Sequence, residues 1–190
     1  MGNLTDHFSA GGGNNIIEEI SGVCNGMEVT TDSGTYTLPN VTAIQALTTS
    51  YVDCGGSYFT YTPPSDATYV RYSYKFKLEQ ISGGGISHFK LMVDGSEVVD
   101  AYRGYSFSSG SAYGDNLCEV QWWFKTNATT EDISAGQFTS WTSDKVIKVQ
   151  GREYSGSHTG QINSNHYRNG AGATGDYEIA RPFLTIQSFK

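Results

Sequence analysis

Hydrophobic and polar residues alternate most regularly between Tyr69 and Gln80. Val70, Tyr72, Tyr74, Phe76 and Leu78 fall on one side, and Arg71, Ser73, Lys75, Lys77 and Glu79 on the other. A period of two over this length predicts a long, half-buried β-strand. Ser82 and the glycines Gly83 to Gly85 end it, because glycine weakens a strand and readily takes positive φ. Ile86 to Val93 alternates again, with Phe89, Leu91 and Val93 inward and His88, Lys90 and Met92 outward. Asp94-Gly95 then predicts a tight hairpin, since a type I′ turn needs positive φ at both central residues. Ser96 to Asp100 is expected to return antiparallel.

On either side of this meander, turn signals punctuate short apolar runs. Asn25-Gly26, Asp32-Ser33-Gly34, Pro39-Asn40, Cys54-Gly55-Gly56 and Pro63-Pro64-Ser65-Asp66 separate candidate strands at Met27 to Thr31, Thr35 to Leu38, Val41 to Ala46, Tyr51 to Asp53 and Ser57 to Tyr61. Ile16, Ile17, Ile20 and Val23 fit either a helical turn or an irregular strand. Arg103 to Asn116, rich in Gly, Ser and Tyr, has no apolar period and is expected to be an exposed loop. Leu117 to Thr126 predicts a strand with Val120, Trp122 and Phe124 on the core face and Gln121, Trp123 and Lys125 opposite. Lys145 to Tyr154 puts Ile147 and Val149 inward and Tyr154 outward, with Gly151 marking a bulge or a close approach of backbone. Tyr177 to Lys190 has Ala180, Leu184 and Ile186 on one face and Ile179, Phe183 and Phe189 on the other, so a central strand covered on both sides is expected, with Pro182 forcing a bulge. The pattern predicts an all-β fold, an antiparallel β-sandwich of jelly-roll type spanning residues 16–190 behind an N-terminal arm of residues 1–15.

Composition narrows the function classes. At 190 residues the chain suits one domain, and its 23 Gly and 13 Tyr with only 16% charged residues suit turn-rich sheets. A net charge of −7 lacks the clustered Lys and Arg that nucleic acid demands, so no nucleic-acid partner is expected. Polar Gly2, Asn3, Thr5 and Asp6 after Met1 do not read as a secretory signal, and no apolar run reaches membrane-spanning length, so no membrane partner is expected. Cys24, Cys54 and Cys118 are widely spaced and read as small buried hydrophobes with free thiols. The sequons at Asn3, Asn40 and Asn127 are read as chance without such a signal.

Candidate chemistry is sparse. Gly170 to Gly175 fits G-x-G-x-x-G, but a phosphate-binding loop needs a strand before it and a helix after it, and here a strand follows. The histidines His7, His88, His158 and His166 lack metal-ligand spacing. The adjacent Glu18 and Glu19 point different ways in a helix or a strand, so they do not form an acid–base pair. No catalytic residue, cofactor or metal is expected. Four aromatic residues instead stand on faces with polar neighbours: Trp123, Tyr154, Phe183 and Phe189 are expected to form an oligomer interface. Leu4 and Phe8, four apart in the polar arm, are expected to dock it to a partner. The abundance of Tyr and Trp has two readings, a stacking platform for sugar rings or the ordinary filling of half-buried sheet positions.

Several phrases carry a resemblance: Ile17 to Gly26 (IEEISGVCNG), Ser33 to Thr42 (SGTYTLPNVT), Tyr61 to Pro64 (YTPP), His88 to Leu91 with Asp94 to Val98 (HFKL, DGSEV), and Trp141 through Arg152-Glu-Tyr154 to Pro182 to Ile186 (PFLTI). Over residues 16–190 the chain resembles virion structural proteins of marine tailed bacteriophages, including those of cyanobacteria. The resemblance implies a virion component made in the host cytoplasm, a capsid decoration or fibre protein whose arm docks on other capsid or tail proteins. Sheets of this family are similar to the jelly rolls of the tumour necrosis factor superfamily, which implies a homotrimer. The alternative is a tail-fibre receptor-binding module that grips host surface glycan. An enzymatic depolymerase would need two carboxylates about 5 to 10 Å apart in a cleft.

Overall fold

The computed structural model describes residues 15–80, 85–106, 114–165 and 178–190. The strands in chain order are β1 (Ile16–Val23), β2 (Glu28–Thr31), β3 (Gly34–Thr37), β4 (Gln45–Ala46), β5 (Val52–Asp53), β6 (Phe59–Tyr61), β7 (Tyr69–Gln80) and β8 (Ile86–Val93). They continue as β9 (Ser96–Ser106), β10 (Gly114–Lys125), β11 (Lys145–Glu153), β12 (Gly160–Ile162), β13 (Ser164–Asn165), β14 (Glu178–Ile179) and β15 (Phe183–Phe189). Among the described residues the helical content is a single 3-10 turn, Ile133–Ala135.

Two antiparallel sheets face each other. In the first, β1 pairs with β15, β15 with β7, and β7 with β10; in the second, β6 pairs with β11, β11 with β8, and β8 with β9. Counting only these strands from one to eight along the chain, the sheets read one-eight-three-six and two-seven-four-five. That interleaving is the strand order of a jelly roll, so the fold is an all-β antiparallel sandwich of that type.

Local sequence explains most of these elements. β7 and β8 have the predicted bounds, and the alternation decides what each buries: Val70, Tyr72, Tyr74, Phe76 and Leu78 from β7 meet Phe89, Leu91 and Val93 from β8 in the core. Phe76 and Phe89 touch across the sandwich with centroids 4.8 Å apart. Buried tyrosine hydroxyls need partners, and the 55–57 turn supplies them: Tyr72 donates to the carbonyl of Ser57 at 2.6 Å and Tyr74 to that of Gly55 at 2.7 Å. The hairpin turn has φ of 47° at Asp94 and 83° at Gly95, as a type I′ turn requires. Gly151 is a close approach, because a Cβ there would lie 2.7 Å from the Phe89 ring.

One open reading is decided and two expectations are corrected. Ile16 to Val23 is a strand, and its helix-like spacing comes from a β-bulge between Ile16 and Glu18 that turns the Glu18 side chain inward. Half of the loop expected over Arg103 to Asn116 is sheet: β9 runs on to Ser106 and β10 begins at Gly114, with 107–113 outside the described residues. A register shift in the β8–β9 pairing breaks the period that would have revealed β9, and pairing overrides the loop-like composition. β15 begins only after Pro182, and although it is central in its sheet, Phe183 on its outer face is 40% exposed. The arm with Leu4 and Phe8, the glycines Gly170 to Gly175 and His166 lie outside the described residues.

Candidate interaction surfaces

The outer face of the first sheet follows from register. One cross-strand row reads Glu19, Gln187, Arg71, Trp123; the next reads Ser21, Thr185, Ser73, Gln121; the third reads Val23, Phe183, Lys75, Glu119. The middle of this face is largely hydrogen-bonded within itself, although Arg71 Nε has no partner among the described residues. Arg71 donates from Nη1 to Gln187 Oε1 at 3.0 Å and from Nη2 to Gln121 Oε1 at 2.7 Å, while Gln187 Nε2 donates to Glu19 at 2.7 Å. Ser73 donates to Glu119 at 2.6 Å, and the Ser21 and Thr185 hydroxyls meet at 2.9 Å. Large apolar groups stand around this polar centre: Trp123, Phe183, Val23 and Leu117, the last 78% exposed.

The four aromatic residues singled out in the sequence do not form one patch. Trp123 and Phe189 come together, with ring centroids 4.6 Å apart, and Phe189 is only 6% exposed. Phe183 lies at the opposite end of the same strand, beside Val23 and Lys75. Tyr154, 57% exposed, follows β11 in the other sheet and packs edge-on against His158, whose Nδ1 lies 2.8 Å from the Ser155 hydroxyl.

Two concave features among the described residues are poor in ionisable groups. A cleft of about 510 Å³ at one end of the sandwich is lined by Thr62, Pro64, Asp66, Thr126, Thr139 and Trp141, and Asp66 is its one carboxylate. That carboxylate is paired with Lys190 at 2.9 Å. A second groove of about 370 Å³ runs between Tyr36 on the β2–β3 hairpin and Tyr58 and Thr60 at β6. The buried carboxylates lie elsewhere and serve structure. Glu18 accepts from Tyr61 at 2.5 Å and Thr31 at 2.7 Å, and also from Ser33. Glu79 accepts from Gln161 at 2.9 Å and Ser164 at 2.5 Å, and Glu153 from the Gly160 amide at 3.2 Å. Among the described residues, no three His, Cys, Asp or Glu side chains gather as a metal group, and all three cysteines are buried and unpaired.

The outer face of the second sheet holds a cluster that alternation alone did not reveal. Tyr51 precedes β5, His88 and Lys90 stand on β8, Tyr102 on β9 and Arg152 on β11. Lys90 Nζ lies 4.5 Å and the Arg152 guanidinium 5.7 Å from the centre of the Tyr51 ring. The Tyr102 hydroxyl is hydrogen-bonded to His88 Nδ1, and their rings lie 5.7 Å apart. Burial, joined by the Tyr102 hydroxyl, pushes the Tyr51 phenol up to about 12. Burial and the Arg152 cation lower His88.

Comparison with known proteins assigns no family: no family model and no curated protein matches the chain. Several solved structures resemble it distantly. One is the C-terminal domain of EclA, a sugar-binding protein, at 13% identity and a TM-score of 0.33, over 67% of this chain and 78% of that one. Two are structures of infectious bursal disease virus. The Gt strain gives 12% identity and a TM-score of 0.26 over 86% of this chain, and the Gx strain 13% and 0.29 over 84%. This chain spans 43% and 39% of those viral chains. At these scores none of them bears on what the protein does.

Trp123 was visible in the sequence because one large aromatic interrupts a polar alternation. The Tyr51 cluster was not, because its members come from four separate segments whose neighbourhood depends on strand order. Its one local signal was His88 and Lys90 sharing the outward face of β8.

Proposed function

We propose that this domain is a non-enzymatic virion structural protein, a homo-oligomer of trimeric form that serves as a capsid decoration or fibre component and docks on other virion proteins through its N-terminal arm. The observation that carries the oligomer is the outer face of the first sheet. Its polar centre is internally hydrogen-bonded, so covering it leaves few groups without partners. Its rim of Trp123, Phe183, Val23 and Leu117 gains by leaving water. Closed symmetry repeats such a patch on every subunit. The backbone pairing of Asn15 with Lys190, at 3.2 and 3.0 Å, sets the root of the arm at the corner of this face. The resemblance of the sequence to phage virion proteins supplies the setting.

A second reading, a receptor-binding module of the tail that recognises host surface glycan, is favoured by the tyrosines and cations of the second sheet. Quantitative mass spectrometry of purified particles separates the two. Decoration predicts hundreds of copies per particle and a tail fibre a few tens at most. Absence from particles refutes both.

A further inference from the structure

On the outer face of the second sheet two cations, Lys90 and Arg152, stand beside one tyrosine, Tyr51. Lys75, Lys90, Lys145, Lys148 and Lys190 each lie within ion-pair distance of a carboxylate. Arg152, like Arg71, Arg103 and Arg181, has no such partner among the described residues; what sets it apart is its place beside Lys90 at the Tyr51 ring. Its Nε donates to the Glu153 carbonyl and its Nη2 to the Tyr154 carbonyl, both at 3.1 Å, which fixes the guanidinium plane and leaves Nη1 without a partner among the described residues. Lys90 is held only loosely by Glu97, at 3.6 Å. Two cations thus flank one tyrosine ring, an arrangement that the negative ring face stabilises.

Hydrogen-bonding groups stand next to this charge. Tyr102, which is exposed, shares a hydrogen bond with His88. Gly104 is the cross-strand partner of His88, and with no side chain there the imidazole stays uncovered on that side; an added Cβ would lie 3.7 Å from Nδ1. A sugar offers apolar ring faces to tyrosine and hydroxyls to phenol and imidazole. A carboxylate on that sugar matches the planar fork of an arginine better than it matches a lysine.

We propose that Tyr51, His88, Lys90, Tyr102 and Arg152 form a binding site for an acidic glycan of the uronic-acid type, with Arg152 taking the carboxylate. This rests on the glycan-recognition reading above and names its ligand class and place.

The test is calorimetric titration of the full chain with oligogalacturonate, its methyl-esterified neutral counterpart, a sulfated oligosaccharide and a panel of neutral oligosaccharides. Oligogalacturonate should bind at least tenfold more tightly than the methyl ester, and binding should weaken with salt. Arg152→Gln should lose at least tenfold, and Tyr102→Phe, which keeps the ring, should lose severalfold, both with unchanged melting curves. No oligogalacturonate binding, equal binding of the ester, a preference for the sulfated chain, or undiminished binding by Arg152→Gln would overturn the proposal. If neutral sugars bind where oligogalacturonate does not, glycan recognition stands and this site falls. If no oligosaccharide binds, both fall.

Discussion

The indole of Trp123 lies 4.6 Å from the ring of Phe189, tilted by 39°, and covers it. Trp123 stands on β10 and Phe189 on β15, with β7 between them. An aromatic residue expected on a wet face is therefore kept from water by another within the same chain. Trp123 itself remains 41% exposed, and so does much of Phe183 at 40%.

This relation separates two effects that substitutions would otherwise confuse. Trp123→Ser uncovers Phe189 and should lower stability by roughly 1 to 2 kcal/mol even in a monomer, since full burial of one large side chain is worth about 1.5 to 3 kcal/mol. Phe183→Ser removes a ring about as exposed as Trp123 but without a ring contact to another aromatic among the described residues, so the melting temperature of an isolated subunit should fall less. Light scattering should nevertheless show both variants shifted toward monomer. A wild-type protein that is monomeric from the start, with Phe183→Ser without effect on mass, would remove the first sheet as a seam.

How far the sequence disclosed this molecule depended on what each signal required. β7, β8 and the Asp94-Gly95 turn were legible because strict alternation and a two-residue turn are local properties. β9 was not, because its pairing with β8 includes a register shift that scrambles the period. Glu18 was read as one of two carboxylates pointing apart, which is correct, yet its burial depends on a bulge and on Tyr61, distant in sequence. The Arg152 cluster is assembled by strand order, which periodicity does not specify.

Glu18 and Tyr61 provide a test of the buried polar network. The carboxylate accepts from Tyr61, Thr31 and Ser33, and the Tyr61 hydroxyl also lies 2.6 Å from Ser188. Tyr61→Phe removes one donor from a buried charge and should cost about 1 to 3 kcal/mol. Glu18→Gln should be costly too, because an amide presents donors where three hydroxyls already donate. The double variant should cost less than the sum, as expected for groups in direct contact. Urea denaturation of the four proteins measures this coupling, and strict additivity would show that the two groups do not support each other.

Gly151 tests the packing of β11 on the core. A Cβ at this position would meet the Phe89 ring at 2.7 and 2.9 Å and the Cys54 sulfur at 3.0 Å. Both neighbours are buried, so neither has room to withdraw, and Gly151→Ala should destabilise by about 1 to 3 kcal/mol through overpacking. Gly156, with nothing within 4 Å, is the matched control: Gly156→Ala should be within about 0.5 kcal/mol of neutral. Thermal melts of both variants decide it, and equal melting temperatures would mean that the sheet separation at Gly151 is looser than described.

Alkaline pH should weaken the fold through its buried thiols and phenols. Burial pushes the thiols of Cys24 and Cys118 from their ordinary 9.0 up to about 12, raises Cys54 as well, and with the hydrogen bond that Tyr51 donates to Tyr102 lifts the Tyr51 phenol from 10.0 to about 12. Each group keeps its proton in the folded chain at a pH where the unfolded chain has lost it. The unfolded state then binds fewer protons, so the slope of unfolding free energy against pH is negative. Stability is fully present below about pH 9 and declines as pH rises toward 12. Urea midpoints at pH 8, 9.5 and 11 should fall in that order, and Cys118→Ala should flatten the fall while leaving the fold intact. The same burial keeps the thiols from reacting: iodoacetamide at pH 8 should label the native protein slowly and all three cysteines after unfolding without reductant. Rapid labelling of the native protein would contradict the burial, and fewer than three labels after unfolding would contradict the unpaired thiols.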